Sequence, residues 1–157
     1  MPVSKEEFRR ALGHFAAAVA VVTTKLRDGG RAGITVTAFS SLSLEPPLVL
    51  ICIDLRARLH DELQKGHAFA VNILKEDQEL VSRRFASSKG DQFEDVGAIE
   101  GPGGAPLLVG ALTTIECRVV DRLPGGDHTI VVGEVESAQI NEGKPLLYFR
   151  GGYAQLG

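Results

Sequence analysis

Between Gly33 and Pro47 the chain reads Gly-Ile-Thr-Val-Thr-Ala-Phe-Ser-Ser-Leu-Ser-Leu-Glu-Pro-Pro, a concentration of hydroxyl groups among apolar residues. Residues 34 to 38 alternate strictly, so a strand here puts Ile34, Val36 and Ala38 on one face and the hydroxyls of Thr35 and Thr37 on the other. One face packs and the other can bind. Two prolines then remove amide donors, and the run Leu48 to Asp54, apolar on both faces, reads as a buried strand that holds the ledge rigid. A polar ledge on a fixed wall suits a planar, hydrogen-bonding ligand. Arg56 and Arg58 stand where a short helix could begin, with Leu59 and Leu63 on its buried face and Gly66 as its stop. Guanidinium forks beside unpaired amides favour phosphate, although solvated surface charge is the plainer reading of both arginines. His128 follows a Gly-Gly-Asp turn, where local sequence alone makes it a hairpin residue whose ring caps a strand.

Other chemistries find no support in the sequence. His-Glu-x-x-His, clustered Cys/His spacing, a nucleophile elbow and a phosphate loop are all missing. Cys52 and Cys117 fall in apolar, strand-like runs, where a thiol behaves as a small hydrophobe. The formal net charge of −3 offers no basic footprint for nucleic acid or an anionic membrane. At 157 residues and 44% hydrophobic content the chain is expected to form one domain with a sizeable core. The N-terminus lacks the layout of a signal peptide and no run reaches the length of a transmembrane helix, so a soluble, cytoplasmic protein is expected.

The elements that must position these residues follow in chain order. Ser4-Lys5-Glu6-Glu7 is a capping box that starts a helix at Lys5, with Phe8, Leu12 and Phe15 at helical spacing. Val19 to Leu26 is a β-branched strand, and the Asp28-Gly29 turn returns the chain antiparallel into the hydroxyl-bearing strand. His67 to Leu74 is a further strand carrying Asn72, whose amide either ties down backbone or faces a ligand. Asp77 to Ala86 reads as a helix with Leu80, Val81, Arg84 and Phe85 on one stripe and Phe85 in the core. Residues 87 to 106 show no periodicity and suggest a lid or a subunit contact. Leu112 to Leu123, His128 to Ile140 and Leu146 to Arg150 are strands joined by turns at Pro124-Asp127 and Asn141-Pro145. His14 and His67 read as surface or satisfied core residues, and His60 is left open. Many antiparallel strands with few short helices imply a closed or partly closed barrel, which removes open edges.

Three blocks, Gly33 to Asp54, Gly126 to Val135 and Pro145 to Tyr153, resemble in order the signature of the small flavin reductase domains. The resemblance implies a mainly β fold with short helices, the FMN-binding split β-barrel, a Greek-key-like antiparallel barrel, as a homodimer. It implies an NAD(P)H:flavin oxidoreductase that uses FMN or FAD, takes NADH or NADPH as co-substrate and supplies reduced flavin to a partner monooxygenase. Hydride transfer between cofactors needs no protein nucleophile, only orientation, stacking and hydrogen bonds. By resemblance Thr35, Val36, Thr37 and Ala38 line the flavin ring, with Ser40 and Ser41 nearer the ribityl phosphate. Cys52 and Asp54 add main-chain contacts, Arg58 a phosphate contact, and Phe149 and Tyr153 stand at the cofactor mouth. His128 then positions the nicotinamide instead of moving a proton. The Leu55 to His60 segment departs from relatives, which carry serines and a threonine around an arginine. Three other readings stay open: an electron carrier with tightly held flavin, a non-catalytic flavin or haem barrel, and, more distantly, a pyridoxamine-phosphate oxidase relative.

Overall fold

The computed structural model describes residues 1–87 and 89–157; position 88, within the predicted 87 to 106 loop, lies outside the described residues. Helix α1 (Lys5–Leu12) is followed by β1 (Ala17–Ala18), β2 (Ala20–Lys25), β3 (Arg31–Val36), β4 (Phe39–Ser43) and β5 (Leu48–Asp54). A single 3-10 turn (His60–Glu62) leads to β6 (Ala68–Ile73) and helix α2 (Glu79–Phe85). The remainder is β7 (Ala98–Glu100), β8 (Pro106–Leu108), β9 (Thr113–Gly125), β10 (His128–Ile140), β11 (Leu146–Phe149) and β12 (Gly152–Gln155).

Seven strands form the main sheet in the order β3-β2-β6-β9-β10-β5-β4. Its two edge strands, β3 and β4, are consecutive in the chain and separated only by Thr37 and Ala38. In a flat sheet those edges would lie about 29 Å apart at roughly 4.8 Å per strand, whereas the short span from Val36 to Phe39 can bridge at most about 11 Å. The sheet must therefore roll up. Its edges meet through a covalent bend and not through a hydrogen-bond ladder, which makes this a split barrel with the seam at residues 37 and 38. Inside it pack Val22, Ile51, Ile53, Phe69, Val71, Cys117, Val119 and Val131. A second layer, Val19, Val21, Leu74, Phe85, Phe93, Leu108 and Leu146, lies between the barrel wall and α2. β2 feeds both layers, so every residue from Ala20 to Thr24 is buried.

Several expectations change. The hydroxyl-bearing strand ends at Val36 and does not run on to Ala38. Both of its faces pack as far as Thr35, because α2 lies across the outer one. An added Cβ at Gly33 would sit 2.7 Å from the Phe85 ring, so this position admits only glycine while α2 is docked. The run Leu48 to Asp54 is buried on one face only: Val49, Ile51 and Ile53 point inward, while Leu48, Leu50, Cys52 and Asp54 are half-buried outside. No helix begins at Arg56, since the Asp54 carboxylate captures its amide and the chain turns until the 3-10 turn at His60. Leu80 is exposed, not part of the α2 stripe, whereas Phe85 is core as predicted.

Residues 87 to 106 are not structureless. They contain β7, which pairs with β8, and Gln92 and Phe93 are buried in the chain's own core. The Gln92 side chain donates to the Gly33 carbonyl at 3.0 Å and accepts from the Gly33 amide at 3.1 Å. Glu116 is buried beneath this segment and accepts hydrogen bonds from the Gly103 and Ala105 amides at 2.7 and 2.9 Å. β12 was not legible either. It follows a turn in which Arg150 and Gly151 both have positive φ, 52° and 78°, and arginine there gives no turn signal.

Candidate active site at the barrel seam

The seam residues divide by where their hydroxyls are spent. Thr35 donates to the Ser82 carbonyl of α2 at 2.6 Å, and Ser40 donates to the Ser41 carbonyl at 2.8 Å. The hydroxyls of Thr37 and Ser41 make no hydrogen bond among the described residues, and Thr37, Ala38, Ser40 and Ser41 are all exposed. The carbonyls of Thr37 and Ala38 are taken by the Phe39 and Cys52 amides, which hold the bend in one shape. The ledge inferred from the sequence thus exists, but it begins at Thr37, two residues later than the alternation suggests. Val36 points into the core and can offer a ligand only its main chain.

The ledge continues onto the outer face of β5 and β10. Their antiparallel register sets Ile130 opposite Cys52 and His128 opposite Asp54, so each pair shares one face. The result is a half-buried apolar floor of Leu50, Cys52 and Ile130 that ends at a polar cluster. Cys52 is therefore not the core thiol its sequence context suggested. Cys117 is: fully buried, its thiol is pushed up to about 12 by desolvation, with Glu116 adding to the rise.

The polar cluster has its own internal pairing. Arg56 grips Asp54 through Nε at 3.1 Å and a terminal nitrogen at 3.0 Å, and its amide bonds the same carboxylate. These bonds hold the Asp54 carboxyl well below the usual carboxylate range and raise Arg56 in turn. His128 is fixed by a tight turn, because Gly126 takes φ 69° between β9 and β10 and brings His128 opposite Gly125. Its Nδ1 lies 2.8 Å from Asp127 Oδ1, and that hydrogen bond lowers the Asp127 carboxyl. A carboxylate can only accept, so Nδ1 carries the hydrogen, and in the neutral ring Nε2 is left as an acceptor.

Arg58 stands apart from this cluster. It lines a separate small cleft with Gly33, Ile34, Phe85, Ala86, Ser87 and Gln92, on the β3 side of the seam. Tyr153 and Phe149 lie on the small sheet β1-β11-β12. Tyr153 hydrogen-bonds Ser82 Oγ at 2.7 Å and lies under Arg83, so it reaches the seam indirectly, through the helix that also holds Thr35. Phe149 is partly exposed with its ring edge-on to His14. The remaining questions resolve as structure: Asn72 bonds the Val21 carbonyl, Thr23 and the Leu108 amide. His60 is buried between Thr129 and Asp61, and His67 bonds the Lys25 carbonyl. Sequence reasoning missed Ser82, Asp127 and Gln92. Only Asp127 gave a signal, by standing next to His128 in a turn.

A family model described as the flavin reductase like domain matches residues 12–157. The chain belongs to this family. Proteins of similar sequence include the reductase component of 4-hydroxyphenylacetate 3-monooxygenase from Thermus thermophilus, 46% identical over 97% of each chain. An NADH-dependent flavin reductase of a Rhodococcus species is 39% identical over 98% of this chain and 88% of its own. Among solved structures, the NADH:FAD oxidoreductase of Streptomyces globisporus C-1027, in complex with NAD and FAD fragments, superposes with a TM-score of 0.92 at 36% identity. That match covers 100% of this chain and 97% of the other. The donor set at the seam fits a flavin: two free hydroxyls on an exposed edge, a half-buried apolar floor on the adjoining strands, and an arginine in a neighbouring cleft. Among the described residues no group of His, Cys, Asp and Glu is arranged to hold a metal, and no helix is long and apolar enough to cross a membrane.

Proposed function

We propose that this chain is an NAD(P)H:flavin oxidoreductase whose reduced flavin is passed to a separate monooxygenase. The observation that carries the reading is the pairing of two unspent hydroxyls at the seam with a fixed, acceptor-type histidine at the far end of one continuous apolar floor. Bound flavin supplies the hydride acceptor, taking two electrons and a proton from the nicotinamide. The protein's share is geometric. Thr37 bonds the polar edge of the ring system, Leu50, Cys52 and Ile130 exclude water beneath it, and Ser41 and Arg58 meet the phosphate end. His128 Nε2 accepts an N–H from the nicotinamide carboxamide, and Asp127 holds the imidazole in that tautomer. Hydride transfer depends steeply on such alignment. Initial rates for NADH and NADPH against FMN, FAD and riboflavin test the reading and name the preferred pair. No acceleration of NAD(P)H oxidation by any flavin would overturn it.

We further propose a cytoplasmic homodimer. Supporting it, α1 has no buried residue, and Phe8, Leu12 and Phe15 are 57, 52 and 75% exposed, an apolar stripe that calls for cover. Light scattering should give twice the chain mass, and Phe8→Glu with Leu12→Glu should give the monomer. A monomeric wild type at micromolar concentration overturns the proposal.

A further inference from the structure

A cleft of about 930 Å³ opens between α1 and the turn bearing His128. It is lined by Ser4, Lys5, Phe8 and Arg9 on one side and Asp54, Arg56, Asp127 and His128 on the other. That size lies at the upper end of small-molecule sites, so it has room for more than a nicotinamide ring. Its charges are unevenly spent. Arg56 is held bidentate by Asp54, and His128 is bonded to Asp127. Lys5 and Arg9 form no ion pair and no side-chain hydrogen bond among the described residues.

The helix accepts a cost to place them there. Lys5 is the first residue of α1, at the end where the helix dipole favours acids and opposes cations. Lys5 and Arg9 are also like charges at i,i+4, which repel along the same face. Two of the other charges of α1, Glu7 and Arg10, line a different groove with Ala11, Leu12 and His14. Two unpaired cations on one wall, opposite a histidine held by a fixed turn, are complementary to a doubly charged anion linked to whatever His128 binds.

We propose that this cleft takes the pyrophosphate of the nicotinamide dinucleotide, with Lys5 and Arg9 as its counter-charges. This rests on the reading of His128 as the nicotinamide end. α1 is then part of the substrate site as well as a surface helix, and the donor's pyrophosphate is recognised by residues outside the three blocks that mark the family in the sequence.

The test is a full-length chain carrying Lys5→Gln and Arg9→Gln, both at exposed positions where loss of folding is not expected. Calorimetric titration with NAD+ needs no turnover, and affinity should fall by about tenfold. With FMN, which has no pyrophosphate, the KM for NADH should rise by a similar factor while FMN affinity stays within about twofold of wild type. Reduced nicotinamide mononucleotide should be used alike by both proteins, and Arg10→Gln should behave as wild type. Unchanged NAD+ affinity in the double variant overturns the proposal. So does a loss confined to FAD, which would assign the cleft to the flavin's pyrophosphate. If the wild type binds NAD+ through Lys5 and Arg9 but reduces no flavin, the cleft assignment stands and the reductase reading fails.

Discussion

Thr35 and Thr37 look equivalent in the sequence, two hydroxyls on one face of an alternating run, yet the structure gives them opposite duties. Thr35 holds α2 through the Ser82 carbonyl, while the Thr37 hydroxyl is free. Thr35→Val should therefore cost about 1 kcal/mol of stability with little change at the ligand, and Thr37→Val should weaken flavin binding roughly fivefold at an unchanged melting point. Thermal unfolding with fluorescence titration of flavin checks both, and a reversed pattern would exchange their roles. His128→Ala should leave oxidised-flavin binding nearly intact and slow reduction of bound flavin by about tenfold to a hundredfold, as read by stopped flow across NADH and NADPH concentrations. Wild-type reduction rates at every concentration would remove His128 from the site. Asp54 carries a pH signature. Its carboxyl is depressed by Arg56, so its stabilising contribution is fully present above the unfolded value near 4 and is lost as pH falls through the lower folded value. Denaturation midpoints of Asp54→Asn should lie below wild type at neutral pH and converge with it in strong acid. A gap independent of pH would mean that the ion pair does not contribute.

At the scale of elements, the site depends on α2 lying across β3. Gly33 permits that approach, and its amide and carbonyl are both bonded by Gln92 from a segment whose sequence shows no period. Gly33→Ala would drive a Cβ into the Phe85 ring, displace α2 and cost roughly 1–3 kcal/mol. Thermal unfolding measures it, and a neutral effect would show that the helix is not locked to the barrel. The same elements show what the sequence could and could not convey. The capped start of α1, the Asp28-Gly29 hairpin and the His128 turn were legible because caps and tight turns are written in local chemistry: Ser4 accepts the Glu7 amide and Gly126 takes a left-handed φ. The covered outer face of β3, the buried Glu116 and the link from Tyr153 through Ser82 to Thr35 were not. Each depends on a partner distant in sequence, so no local period announces it. The three sequence blocks are only partly united. Gly33 to Asp54 and Gly126 to Val135 share one sheet, while Pro145 to Tyr153 forms a separate small one.

For the whole molecule, the rolled sheet explains why a chain without an evident nucleophile can support redox chemistry. Closing seven strands through a two-residue bend leaves one rigid, unpaired edge whose polar groups face outward, and the tight β9-β10 turn fixes His128 at the other end of the same face. The measurement that bears most directly on this account is anaerobic mixing of the protein with NADH or NADPH and a large excess of FMN or FAD. The account predicts bleaching of flavin matched one for one by nicotinamide oxidation, continuing through many turnovers per chain because reduced flavin leaves. Reduction that stops at one flavin per chain, or no rate above that of free flavin with the nicotinamide, would contradict it.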